Sequence, residues 1–313
     1  MKKLLVVALL FLLTVGPIAA FNQTAYVGFE SNVYDLFDVR DPENLDVSLI
    51  PYANYLYGDW ASPGLYGHMQ LGAPYEIGAD FNTLFPELYS ELYYRIGIPN
   101  YDSIINVGLE TRFFKNTFYD TTIMDNTLRA YWYPFDKATE TWTADPYYPY
   151  YDGFRIGFGL DAGAELSNLL EDADILTRAH GALVGRIVGG AELYDRIWMQ
   201  VNLVAQLPNV SYWVDSEEMS LAASGYGSIS LSYVGDRFML HGGLSPELYL
   251  NNLYLADEGF LSGASYDYRF WVFGDAEIEF VDNLRLYVGG QVGFSRGDNN
   301  SASGRVGVTY FIL

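Results

Sequence analysis

The 313-residue sequence contains no cysteine, so neither a disulfide nor a thiolate metal site can hold the fold together. Only His68, His180 and His241 offer imidazoles. Basic residues are scarce: 17 Lys and Arg stand against 39 Asp and Glu, a net charge of −22. A polyanion would be repelled by such a surface, so nucleic acid is not an expected partner. Beyond residue 20, lysine occurs only as Lys115 and Lys137. Long apolar runs are missing too. After the N-terminal segment nothing approaches the ~20 consecutive apolar residues that a membrane-spanning helix requires.

What is present is aromatic and small. Tyrosine occurs 28 times, aromatics make up 17% of the chain and glycine occurs 31 times, yet mean hydropathy is only +0.04. That balance fits neither a helical membrane protein nor a disordered chain. It fits a membrane barrel, in which lipid-facing and lumen-facing residues alternate and cancel in the average.

At the N-terminus, Met1, Lys2 and Lys3 precede an apolar run from Leu4 to Leu13, and small residues follow up to Ala19 and Ala20. A basic start, an apolar core of about ten residues and a small-residue boundary form a secretory signal peptide. The expected division is a signal peptide over 1–20 and a single domain over 21–313. Without Lys2 and Lys3 the exported part keeps 15 basic residues against 39 acidic ones, a net charge of −24.

The segment from Phe154 to Leu166 decides the fold class. One face reads Phe154, Ile156, Phe158, Leu160, Ala162, Ala164 and Leu166; the other reads Arg155, Gly157, Gly159, Asp161, Gly163 and Glu165. This period of two is that of a strand with one apolar and one wet face. The same alternation runs through 264–280, 284–294 and 305–312. Weaker segments fall at 24–33, 45–57, 64–80, 87–98, 102–114, 126–134, 176–189, 195–207, 220–234 and 236–250. The total is about 14 strands, with 12 or 16 as open alternatives. Several are long enough to cross hydrocarbon, which takes ~9–11 residues of tilted strand.

Tight turns are expected at Val234–Gly235–Asp236 and Val281–Asp282–Asn283, and longer links at 208–218, 251–262 and 296–301. Short and long links that alternate put both termini at the turn end. Residues 135–152 break the scheme, being a long link where a tight turn is required. Either a strand is hidden around Thr139–Thr143 or the N-terminal half is shifted by one strand. The expected fold class is all-β: a closed antiparallel up-and-down transmembrane β-barrel, since hydrocarbon offers no partner to an open sheet edge. A soluble β-sandwich is the competing fold for alternating strands.

On the signal peptide, the alternating strands and the closing strand Arg305–Leu313 with Tyr310 and Phe311, the chain resembles the porin-like transmembrane β-barrels of the bacterial outer membrane. The resemblance spans 21–313 and implies a location in the outer membrane, with the lipid bilayer as partner, and it raises a homo-oligomer, often a trimer, as an expectation. Aromatic clusters are candidates for the interfacial girdles of such barrels: Tyr55, Tyr57 and Trp60; Tyr131, Trp132 and Tyr133; Tyr147, Tyr148, Tyr150 and Tyr151; and Tyr212 and Trp213. Aromatics on the wet face, among them Tyr89, Tyr93, Tyr226, Trp271 and Tyr287, would instead suit a sugar-lined channel.

Candidate lumen charges follow from the strand parity. Arginines fall at Arg95, Arg112, Arg129, Arg155, Arg178, Arg186, Arg269, Arg285 and Arg305, five of them on consecutive segments. Acids fall at Glu91, Glu110, Asp161, Glu165, Asp267, Asp275, Glu277 and Glu279. Guanidinium forks match carboxylates bidentately. One arrangement braces the wall; the other sets an arginine wall against an acidic wall across a pore, where rings of charge select ions.

The expected function is passive diffusion of small hydrophilic solutes and ions with mild cation preference. The alternative is a structural or surface-interaction barrel with a plugged lumen. An enzyme is not expected. His241, Ser245 and Glu247 share a strand face, but residues four apart lie ~13 Å apart at ~3.3 Å per residue, beyond the ~3 Å reach of a nucleophile–base pair. No cofactor or metal is expected, and the acid clusters Glu171–Asp172–Asp174 and Asp215–Glu217–Glu218 read as solvated loops rather than calcium sites.

Overall fold

A computed structural model describes residues 23–34, 36, 47–58, 63–77, 82–84, 87–98, 103–116, 121–136, 139–141, 150–171, 173–251, 255–256, 259–260, 265–296 and 300–312. The expected signal peptide over 1–20 lies outside the described residues, as do Trp60, Tyr147, Tyr148 and Asp172.

Fourteen long strands form one closed sheet. They are β1 (Gln23–Val33), β2 (Val47–Gly58), β3 (Gly64–Gly72), β4 (Glu87–Ile98), β5 (Ser103–Asn116), β6 (Thr121–Asp136) and β7 (Tyr150–Ser167). The second half comprises β8 (Leu176–Tyr194), β9 (Ile197–Trp213), β10 (Glu218–Val234), β11 (Phe238–Asn251), β12 (Ser265–Val281), β13 (Leu284–Ser295) and β14 (Ser301–Phe311). Each pairs antiparallel with its sequence neighbours, and β1 closes the ring by pairing with both β2 and β14, from Tyr26↔Phe311 to Val33↔Gly304. Closure gives each of these fourteen strands a partner on both sides, so the ring has no open edge.

The alternation sets which way each side chain points. Leu128, Phe158, Leu183, Leu231, Val288 and Val306 are all more than half exposed, and they stand outward around the circumference. The wet residues between them, including Arg155, Asp161 and Glu110, are buried inside. An apolar exterior around a polar interior inverts a soluble β-fold and suits hydrocarbon as the outer solvent.

One end is closed by tight turns. The two-residue turns Asp195–Arg196 and Asp282–Asn283 each hold a residue at positive φ, 66° at Arg196 and 68° at Asn283. Positive φ lets a two-residue turn follow the right-handed twist of its strands. A glutamate four residues before caps each turn: Glu192 accepts from the Arg196 N–H at 3.0 Å, and Glu279 from the Asn283 N–H at 3.2 Å. Arg196 pairs with Asp236 at 3.0 Å and Arg237 with Asp282 at 3.1 Å, linking successive turns. The first residue of β1 and the last of β14 lie at this same end.

Three expectations need correction. β3 does not run through 64–80: it stops before Ala73–Pro74, and pairing resumes at Tyr75–Ile77, which meets both Val47–Leu49 and Asn82–Leu84. Pro74 has no N–H to contribute to a ladder. The long link expected at 208–218 is four residues, 214–217, because β9 continues to Trp213 through a register shift between Gln206 and Asn209, around Pro208. The 135–152 puzzle resolves in favour of the hidden strand, but without adding a crossing. Thr139–Thr141 pairs with Tyr150–Asp152 and lengthens the β6–β7 hairpin at the turn end, so the strand count stays at 14.

Candidate functional site

The barrel interior has two unlike sectors. Around β6 and β7 the side chains fill the space. Inward positions of β7 carry Gly157, Gly159 and Gly163, and larger groups from the neighbouring strands lie across them. A Cβ at Gly157 would fall 2.5 Å from the Tyr133 ring, one at Gly159 2.0 Å from the Tyr131 ring, and one at Gly163 2.7 Å from the His180 ring. Tyr131 and Tyr133 thereby reach Ala182 and Val184 on β8, with Ile104 completing the cluster. The same device seats Tyr93 over Gly108 and Tyr52 over Gly28.

The candidate charges pair within this wall. Arg129 bridges Glu110 on β5 and Asp161 on β7, the latter at 3.8 Å, while Tyr131 donates to Asp161 at 2.6 Å. Arg112 donates to Glu110 from its own strand at 2.6 Å. Arg155 pairs with Asp136 at 2.7 Å and lies over the Tyr133 ring. Arg178 pairs with Glu165 and lies over Trp213, and His180 meets Asp125 at 2.8 Å. Arg95 is buried over the Tyr66 ring. These contacts run along the wall, within one strand, between neighbouring strands or, for His180 and Asp125, across β7, and none of the ion pairs described here spans the lumen as an arginine wall facing an acidic one would.

The other sector is open. A cavity of about 770 Å³ is lined from β1 and β8–β14, and one of about 710 Å³ from β1–β5 and β11–β14. They share Glu30, Met239, His241, Asp275 and Arg305. A third, about 430 Å³, joins the first through Asn202, Ser228, Ser245 and Glu247. Arg305 grips one oxygen of Asp275 with two donors at 2.7 and 2.9 Å, and His241 lies 3.9 Å from the other. Arg285 pairs with Glu277 at 2.9 Å, and Glu30 accepts from the Tyr287 hydroxyl. Arg186 lines the first cavity. Arg269 stands opposite Glu247 and Asp267 opposite Tyr249, whereas Glu279 is drawn to the turn it caps. Tyr89 donates to Glu91 at 3.0 Å.

Other candidates fall elsewhere. Tyr131 and Tyr133 are buried inside the barrel rather than in an outer girdle, Tyr57 packs against Gly67, and Trp213 stacks under Arg178. Trp132 and Tyr212 do stand exposed on the outside. The Ser245 hydroxyl donates to the Gly227 carbonyl at 2.6 Å, and His241 packs edge-on to Phe273. Glu171 and Asp215 accept backbone N–H groups, of Thr122 at 3.0 Å and Thr177 at 2.8 Å. Asp136, Asp125 and the polar inward faces of β9 and β10 were not singled out from the sequence. For Tyr131 and Tyr133 the signal was there: their parity opposes that of Trp132.

No known family model matches the chain, and no characterised protein sequence matches it significantly. Among solved structures, it is similar to the outer membrane channel DcaP of Acinetobacter baumannii at 10% identity, over 93% of this chain and 97% of that one, with a TM-score of 0.45. It is similar to the trimer form of OmpT of Vibrio cholerae at 10% identity over 94% and 100%, TM-score 0.40. To the NanC porin it is similar at 12% identity over 92% and 100%, TM-score 0.36. These likenesses are too distant to carry a function or a residue role to this chain; its fold, a closed 14-strand transmembrane barrel, stands on its own strand pairing and its apolar exterior.

Proposed function

We propose that the chain is exported by a signal peptide over 1–20 and serves in a bacterial outer membrane as a passive channel for small hydrophilic solutes and ions, with mild cation preference. The observation that carries the reading is the run of cavities with shared lining residues in the sector away from the tyrosine-filled wall, two of them lined by slightly more polar than apolar surface. Fourteen strands suit this role, because eight-stranded barrels fill with side chains and much wider ones hold water. These cavities carry Glu30, Glu87, Glu247, Asp275 and Glu277 against Arg112, Arg186 and Arg305, which favours cations locally as the net charge does globally. Self-association belongs to the same reading and is checked by cross-linking.

The test is single-channel recording of the refolded chain in a planar bilayer, with the reversal potential measured under a salt gradient. Discrete steps with a cation-side reversal are expected. A folded barrel that gives no steps would overturn the channel and favour the plugged, surface-interaction protein.

A further inference from the structure

The open sector is chemically divided. The inward faces of β9 and β10 carry no charge from Gln200 to Ser211 and from Ser220 to Ser232; they offer amides and hydroxyls instead. Such groups donate and accept at once. A free ion gains nothing from them that water does not give, whereas a neutral polyol, whose hydroxyls also donate and accept, is matched group for group.

Aromatic rings follow the same path. Tyr249 and Tyr226 line the smaller cavity near the loop end, and Trp271 lines the larger one further in. Trp271 is held against the wall by a gap in its neighbour: a Cβ at Gly293 would sit 2.5 Å from its six-membered ring. Tyr249 is oriented by donating to Glu247 at 3.2 Å, and Glu247 stands directly opposite Tyr226. Gln291 is exposed into the larger cavity from the adjacent β13, and Asn202 from β9, three strands to the other side. Ring, carboxylate and amide groups thus line the same pair of cavities, and at about 430 and 770 Å³ these are of small-ligand size.

We propose that this strip is a binding track for uncharged saccharides, which pass Tyr249 and Tyr226 from the loop end and stack on Trp271. The apolar face of a pyranose covers an aromatic ring while its rim hydroxyls need polar partners, and the track supplies both. The inference rests on the reading of this sector as water-filled.

The test uses the full refolded chain in a detergent without a sugar headgroup. Neutral gluco-, galacto- and manno-oligosaccharides of one to six units are titrated by calorimetry. Saturable binding of at least one series is expected, weakened about ten-fold in Trp271→Ala, restored in Trp271→Tyr and unchanged in the outward-facing Trp132→Phe. If Trp271→Ala does not fold, Gln291→Ala and Asn202→Leu should each weaken binding. Absence of saturable binding in the folded wild type, or binding indifferent to these substitutions, overturns the proposal. Binding in micelles needs no conduction, so a barrel that conducts without binding sinks the track alone. One that binds without conducting sinks the channel alone.

Discussion

Tyr131 lies across Gly159 and donates a 2.6 Å hydrogen bond to Asp161 two positions further along β7. Both partners are 6% exposed. The contact exists because β7 presents glycine where other strands present a side chain, and the ring from β6 takes that volume. The Tyr133–Gly157 and His180–Gly163 pairs repeat the arrangement along the same strand and make one side of the lumen solid.

A methyl group at Gly159 has nowhere to go. Its Cβ would fall 2.0 Å from the Tyr131 ring and 2.5 Å from the Ala130 carbonyl oxygen. Gly159→Ala should lose ~1–3 kcal/mol in denaturant unfolding from lipid vesicles, while Gly185→Ala, which meets nothing within 4 Å, stays near wild type. Tyr131→Phe keeps the packing and should cost ~1–3 kcal/mol, because Asp161 loses a buried partner.

Arg129 and Arg112 both contact Glu110 but differ in burial, with side chains 23% and 52% exposed. Arg129→Met leaves Asp161 with no cation and Glu110 with only the half-exposed Arg112, and is expected to cost ~3–5 kcal/mol or to abolish refolding. Arg112→Gln should cost under ~1 kcal/mol. Equal losses from the two would mean that the pairing with Asp161 adds nothing.

The exterior makes its own demand. Leu231→Arg places a charge among lipid chains and should destabilise the barrel by ~2–4 kcal/mol if position 231 is near the bilayer midplane. Ser230→Arg on the adjacent inward position should cost clearly less. Reversal of that order in vesicle unfolding would contradict the assigned faces.

Selectivity should follow Asp275 and its clamp. Asp275→Asn removes a charge from the wall shared by the 770 and 710 Å³ cavities and should lower cation preference, seen as a shift of reversal potential toward zero. Arg305→Gln frees the carboxylate and should shift it the other way. No shift in either variant would place the permeation path elsewhere.

At the loop end, Glu171 latches the β7–β8 link onto β6 by accepting from the Thr122 hydroxyl at 2.6 Å and its N–H at 3.0 Å. Burial alone would raise its pKa, but these bonds, with those from the Leu170 and Glu171 N–H groups, outweigh it and hold the carboxyl below its ordinary value. A depressed folded pKa gives a contribution present above about pH 4.5 and lost as pH falls through the folded value. Hydrogen exchange at the Thr122 amide should therefore be slower in wild type than in Glu171→Gln at pH 6, with the difference vanishing in acid. A difference that persists at pH 2 would rule out the carboxylate as the latch.

The alternation of apolar and wet residues by itself determined the barrel and its two faces, because a period of two leaves a side chain only two directions. The turns expected at 234–236 and 281–283, found at 235–237 and 282–283, were legible from their glycine and asparagine. What sequence order could not carry was register. Whether Arg129 meets Glu110 and Asp161 beside it or a carboxylate across the lumen depends on which residues stand opposite on β5 and β7, and that is fixed only when the strands pair. Likewise an inward glycine says nothing until a neighbouring strand delivers Tyr131 or Trp271 onto it. Only the closed sheet decided that one part of the lumen is filled and another is open. The reason is volume: the rings of one strand occupy space that another strand leaves vacant.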